Sequence, residues 1–155
     1  MKIYLATDHA GLALKEKVKL KLKTLGYTVH DEGAFELDEG DDYPDFIRVA
    51  AKQVASNPDE DVAIVFGGSG QGEAMVANRY KGVRAAVFYG GSEEIIIRSR
   101  EHNGANILSL GAKFISDDEA FSAIELWLNT SSARDARHLR RIAKIDDLIK
   151  EENRF

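Results

Sequence analysis

The chain contains no cysteine. That single absence excludes a disulfide framework, thiolate metal ligands and a cysteine nucleophile. It leaves the compartment open, since cytosolic and exported proteins alike can do without the residue. Long apolar runs are also missing. No stretch approaches the ~20 apolar residues that a membrane span needs. The opening Met1-Lys2-Ile3-Tyr4-Leu5 turns polar by Asp8, too early for a signal peptide, so the expectation is a cytoplasmic protein without a membrane partner. An excess of positive charge is lacking as well: the net charge of −5 disfavours a general nucleic-acid binder. No internal repeat, low-complexity segment or linker breaks the 155 residues, and one domain over 1–155 is expected. What is present is 44% apolar and 30% charged residues, the make-up of a globular chain. One segment departs from the acidic average. Between Arg134 and Lys144 five cations (Arg134, Arg137, Arg140, Arg141, Lys144) stand against one acid, Asp135, which suits a small anionic ligand better than a polyanion.

Short β-rich apolar runs alternate with longer stretches of helical period. Ile3 to Ala6 reads as a buried strand, and Leu12, Leu14, Val18, Leu22 and Leu25 mark a helix that Gly26 stops. Tyr27 to His30 is a second strand, and the acidic stretch from Asp31 to Asp42 is a loop. Tyr43-Pro44 opens the next helix with proline in its first turn. Strands are then predicted at Val62 to Phe66, Arg84 to Val87 and Ile107 to Leu110. Helices are predicted at Gly72 to Arg79, Ser92 to His102, Asp117 to Leu128 and, highly charged, Ala133 to Glu151. Strict alternation of strand and helix implies crossover connections, hence a Rossmann-like, doubly wound α/β fold with a parallel sheet covered on both faces.

Sheets of this kind bind ligands at the carboxyl ends of their strands. Three loops there carry chemistry: Thr7-Asp8-His9-Ala10-Gly11, Gly67-Gly68-Ser69-Gly70-Gln71-Gly72-Glu73, and the polar loop ending at Asp42-Tyr43. Four glycines in six positions let backbone N–H groups converge on an anion, although a flexible turn needs no other explanation. The spacing fits neither a dinucleotide fingerprint nor a P-loop, because it follows the third strand and no Lys-Ser/Thr pair closes it. Glu73, at the start of the next helix, is either a carboxylate favoured by the helix dipole or a base over a cradle of donors, as enediolate chemistry requires. Asp8-His9 reads as a helix cap and solvated ring, or as part of a site. His102-Asn103-Gly104 could be no more than a helix end. Arg137 and Arg141, four residues apart, share one side of the last helix. That side is either solvated or a clamp for one phosphate.

Taken together, Asp8-His9-Ala10-Gly11, Asp42-Tyr43-Pro44-Asp45, the glycine loop with Ala77-Asn78, Arg100-Glu101-His102-Asn103, Leu110-Gly111 and Arg137-His138-x-x-Arg141 resemble the ribose-5-phosphate isomerase B family, which includes galactose-6-phosphate and allose-6-phosphate isomerases. The resemblance implies a five-stranded parallel sheet in three α/β/α layers, a homodimer or homotetramer, a phosphosugar substrate, and neither metal nor cofactor. By position, it makes His102 the ring-opening residue, assisted by Asp8. It assigns His9, Arg137, Arg141 and Lys113 to the phosphate, and Asn103 and Tyr43 to the sugar. It gives Gly67, Gly68, Ser69, Gly70 and Gly72 to the enediolate, with Glu73 as the base. Many members carry a cysteine base where this chain has Gly67; a second branch has a Gly-Gly-Ser-Gly-x-Gly-Glu loop with glutamate as base, and Gly67 to Glu73 match that branch. Lys113 stands where glutamate-type members have arginine, and Tyr89 to Glu94 are unlike the commoner family sequence. Ribose 5-phosphate is the expected substrate, with a tetrose or hexose phosphate, or a non-catalytic phosphosugar-binding module, as alternatives.

Topology adds one expectation. In a right-handed βαβ unit the crossover helix returns the chain to the opposite edge of the sheet. His102 and Asn103 end a helix and precede a strand, so they should lie away from Asp8 and Glu73. The site should then form between two subunits, with the C-terminal helix also reaching the partner.

Overall fold

The computed structural model describes residues 1–152, with side chains described as far as residue 148. The elements run β1 (Ile3–Thr7), a single 3-10 turn (His9–Gly11), α1 (Leu12–Thr24), β2 (Val29–Asp31), α2 (Tyr43–Ser56), β3 (Val62–Gly67) and α3 (Gln71–Ala77). They continue with β4 (Ala85–Phe88), α4 (Glu93–Glu101), β5 (Ile107–Gly111), α5 (Asp117–Asn129) and α6 (Ala136–Glu152). The five strands form one parallel sheet in the order β2-β1-β3-β5-β4.

Alternation along the strands builds two cores. Ile3, Leu5, Ile64, Phe66, Leu108 and Leu110 face α1, α4 and α5, where they meet Leu14, Val18, Leu22, Ile96, Ile124 and Trp127. Tyr4, Ala6, Ala63, Val65 and Ile107 face the other way, onto Ile47, Ala50, Ala51 and Val54 of α2 and Ala77 of α3. Each large apolar side chain fully buried in this way contributes about 1.5–3 kcal/mol. The partition follows from handedness. The steps β1→β2 and β4→β5 move toward one edge, and β2→β3 and β3→β4 toward the other, so right-handed crossovers put α1 and α4 on one face and α2 and α3 on the other.

The second strand begins two residues later than periodicity predicts. Gly26 adopts φ +86° beyond α1; its N–H bonds to Lys23 O at 3.0 Å, and the Tyr27 N–H reaches back to Leu22 O at 3.1 Å. The helix cap thus uses the Tyr27 donor, and pairing with β1 starts at Val29. The predicted helix end at Arg79 also moves, to Ala77. Asn78 turns away and its side chain pairs both backbone groups of Ala85 in β4 (Nδ2 to O 3.1 Å, N to Oδ1 2.7 Å). No helix among the described residues is long and apolar enough to cross a membrane.

Candidate active site

Strand register brings the equipped loops together. Thr7 lies opposite Phe66, and Gly67 opposite Gly111, so the chain leaves β1, β3 and β5 side by side. The directions of the chain diverge between β1 and β3, the place where such sheets bind ligands. Thr7 Oγ1, fully buried, sits 2.9 Å from Asp8 O and 3.0 Å from Phe66 O, fastening the two strand ends. Asp8, 7% exposed, accepts the Ala10 N–H at 2.9 Å. The His9 ring is not simply solvated: Nδ1 lies 2.6 Å from Asp41 Oδ1, and the same carboxylate accepts the His9 N–H. The hydrogen bond to Asp41, with help from the charges of Asp8 and Asp41, raises the imidazole above its ordinary value against burial and Lys113.

The glycine loop is held rather than slack. Ala112 N–H donates to Gly67 O (2.8 Å), Lys113 N–H to Gly68 O (3.1 Å) and Ser109 Oγ to Gly70 O (2.5 Å). Gly70 takes φ +77° with its Cα against the Leu110–Gly111 backbone, a conformation and an approach that only glycine accepts readily. Ser69 Oγ accepts the Gln71 N–H at 3.4 Å. Behind the loop, the Tyr43 ring packs so tightly on Gly72 that a Cβ there would lie 2.8 Å from Cζ. On the other side the Lys113 methylenes lie against Gly68.

Glu73 closes the cradle. It is 4% exposed, and its carboxylate lies over Gly67, in the space that a side chain at position 67 would fill. The glutamate therefore brings its acid from α3 to the end of β3. Burial pushes its pKa above the ordinary 4.5; a hydrogen bond from its own backbone N–H opposes this, and the Asp8 charge adds to the rise. A carboxylate tuned upward is a better base near neutrality.

The remaining predicted residues are elsewhere. His102 caps the end of α4 through its N–H to Arg98 O (3.0 Å), and Arg84 Nε binds Gly104 O (2.9 Å) at the start of β4. This is the amino edge of the sheet, ahead of β5. Asn103 is exposed there. Asp135 Oδ1 accepts the Arg137 N–H at 2.8 Å where α6 begins, and α6 lies over the same edge of its own subunit, with Asp146 3.6 Å from Arg84. Arg137 and Arg141 are exposed. The structure thus gathers Asp8, His9, Tyr43, Gly67, Gly68, Ser69, Gly70, Gly72, Glu73 and Lys113 at the carboxyl edge. His102, Asn103, Arg137 and Arg141 sit at the amino edge.

Sequence reasoning missed Asp41, one acid among many in its loop, and passed over His138, whose ring stacks on His102. Asp8, His9 and Asp41 also offer ligand atoms within 4.8 Å of one another, a grouping able to hold a metal ion.

A family model described as Ribose/Galactose Isomerase matches residues 3–145. The ribose-5-phosphate isomerase B of Mycolicibacterium paratuberculosis is 38% identical over 92% of this chain and 87% of that protein. Among solved structures, the ribose-5-phosphate isomerase B of Mycoplasma genitalium with bound ribulose-5-phosphate superposes with a TM-score of 0.92 at 39% identity, covering 97% of each chain. That of Clostridium thermocellum gives 0.90 at 38% identity, covering 98% of this chain and 99% of its own. The parallel α/β fold is thus that of sugar-phosphate isomerases. The chain belongs to the ribose/galactose isomerase family, on its ribose-5-phosphate isomerase B side.

Proposed function

We propose that this protein interconverts ribose 5-phosphate and ribulose 5-phosphate by proton transfer, with Glu73 as the base and no metal required. The observation that carries the reading is the buried Glu73 carboxylate, poised over Gly67 at the mouth of the glycine loop with its pKa raised. In the open-chain aldose Glu73 removes the C2 proton, the electron pair moves toward the C1 carbonyl, and a cis-enediolate forms. The backbone N–H groups from Gly67 to Gly72, with Ser69, hold the developing oxyanion. Returning the proton to C1 gives the ketose. His102 opens the sugar ring, assisted by Asp8. His9, Lys113, Arg137 and Arg141 hold the phosphate, and Tyr43 and Asn103 contact the sugar. Chain 1–155 then forms one sugar-phosphate isomerase domain.

His102 and the arginines lie at the amino edge, so they serve the carboxyl-edge cradle of a second copy. The working unit is a homodimer, or a tetramer of such pairs, with each site shared. Arg137 and Arg141 are exposed on α6, which supports this reading.

The test is proton NMR of ribose 5-phosphate incubated with the protein in D2O and a chelator. Ribulose 5-phosphate forming with solvent deuterium at the transferred carbon is expected. Conversion that appears only when the chelator is omitted removes the metal-free part. Absence of conversion with ribose 5-phosphate, but turnover of a tetrose or hexose phosphate, reassigns the substrate. Phosphosugar binding without exchange on any of them indicates a binding module.

A further inference from the structure

His138 belongs to the motif shared with the family but has no part in the reaction above. It is 8% exposed on a helix whose other early residues are open to solvent. Its ring lies face to face with that of His102, centroids 4.4 Å apart and planes 11° from parallel. Its Nε2 is 3.4 Å from Arg137 Nη2. One imidazole from α6 therefore touches both the residue proposed to open the sugar ring and one proposed to grip the phosphate. We propose that His138 is a positioning residue: its stacked ring fixes the plane of His102, so that ring opening depends on it while proton transfer at Glu73 does not.

The chemistry makes such a contact useful. Opening a furanose breaks the C1–O4 bond. O4 must receive a proton from His102 as the C1 hydroxyl surrenders its own to a nearby base, leaving the carbonyl at C1. His102 follows the last turn of α4 and is not enclosed by that helix, so its ring needs an outside surface to hold one orientation. Burial, then the neighbouring His102 and Arg137, keep His138 below the ordinary imidazole value, with Arg141 adding to this and Asp135 opposing it. The supporting ring is thus a weaker base than an ordinary imidazole and less apt to take up the proton itself. The inference rests on the ring-opening reading of His102.

Ribulose 5-phosphate separates the two steps, because its 5-oxygen is esterified and the ketose cannot close a five-membered ring. Exchange of its C1 proton with D2O needs the base and the cradle, but no ring opening. His138→Ala is expected to lower saturated turnover of ribose 5-phosphate roughly 10- to 100-fold, as a displaced catalytic group does, while C1 exchange of ribulose 5-phosphate stays within a few-fold of wild type. His138→Phe, which keeps a flat ring, should restore most of the loss and guards against a mere folding defect. Unchanged ribose 5-phosphate turnover in His138→Ala, equal losses in both assays, or no rescue by phenylalanine overturns the proposal. His102→Asn in the same assays judges the underlying reading. A selective loss there without one in His138→Ala sinks only the positioning role. Equal losses in His102→Asn remove ring opening, and this inference with it.

Discussion

Burial acts on Glu73 in two opposed directions, toward a stronger base and toward a weaker fold. Because its folded pKa is raised above 4.5, the folded chain holds this proton more tightly than the unfolded chain does. Stability contributed by the group therefore falls as pH rises through the interval between the unfolded and folded values, and the penalty is complete above the folded one. Glu73→Gln should melt above wild type at neutral pH and lose that advantage in mild acid, below the ordinary carboxylate range. Its turnover should fall roughly 10²- to 10⁴-fold, the usual contribution of a general base. Calorimetry at the two pH values beside the activity assay checks both signs. A neutral-pH melting point below wild type would count against the burial argument. Gly67→Ala approaches the same group from the other side. Its Cβ would take the carboxylate's place, and because the obstacle is the end of a side chain, Glu73 can swing away without unfolding the protein. Turnover should drop as in Glu73→Gln, with an unfolding free energy within ~1 kcal/mol of wild type; full activity would mean that the carboxylate works from elsewhere. The glycine run and its trailing acid were legible at this scale because motif and chemistry coincide in one short segment. Asp41 was not, since Asp38, Asp41 and Asp42 look alike until the loop folds and one of them meets His9.

At the scale of elements, hydrophobic period located every helix and strand, and errors arose where a backbone donor or a side chain had a competing use. Tyr27 is spent on the α1 cap, and Asn78 on β4. The period was also blind to Lys15, which has no exposed surface although a helix pattern reads it as polar. Its ammonium donates to Asp31 Oδ1 (2.5 Å) and Ala34 O (2.7 Å), joining α1 to the end of β2 and to the loop that later supplies Asp41. Lys19 shares the same carboxylate at 2.7 Å. Burial would lift Asp31, but the two lysines outweigh it and hold the acid below its usual range. Lys15→Ala removes one partner of a buried pair and leaves the Ala34 carbonyl without its donor, so urea unfolding should report a loss of about 3 kcal/mol. A loss below ~1 kcal/mol would mean that Lys19 alone suffices.

For the whole molecule, alternation of strand and helix implied a parallel, doubly covered sheet, and the handedness of crossovers placed His102 away from Glu73. The position of β5 between β3 and β4 was not legible, because alternation says that strands are parallel but not which neighbours they choose. That order matters to the site: it sets Gly111 and Lys113 beside the glycine loop. The separation of the two edges also has a genetic consequence. If each site takes Glu73 from one subunit and His102 from the other, two inactive proteins can repair one another. A Glu73→Gln subunit paired with a His102→Asn subunit has one site with both defects and one with neither. Refolding the two variants together as dimers should recover roughly a quarter of wild-type activity, since random pairing makes about half the dimers mixed and each of these has one whole site. Recovery no greater than the sum of the separate variants would confine every residue of the reaction to a single chain.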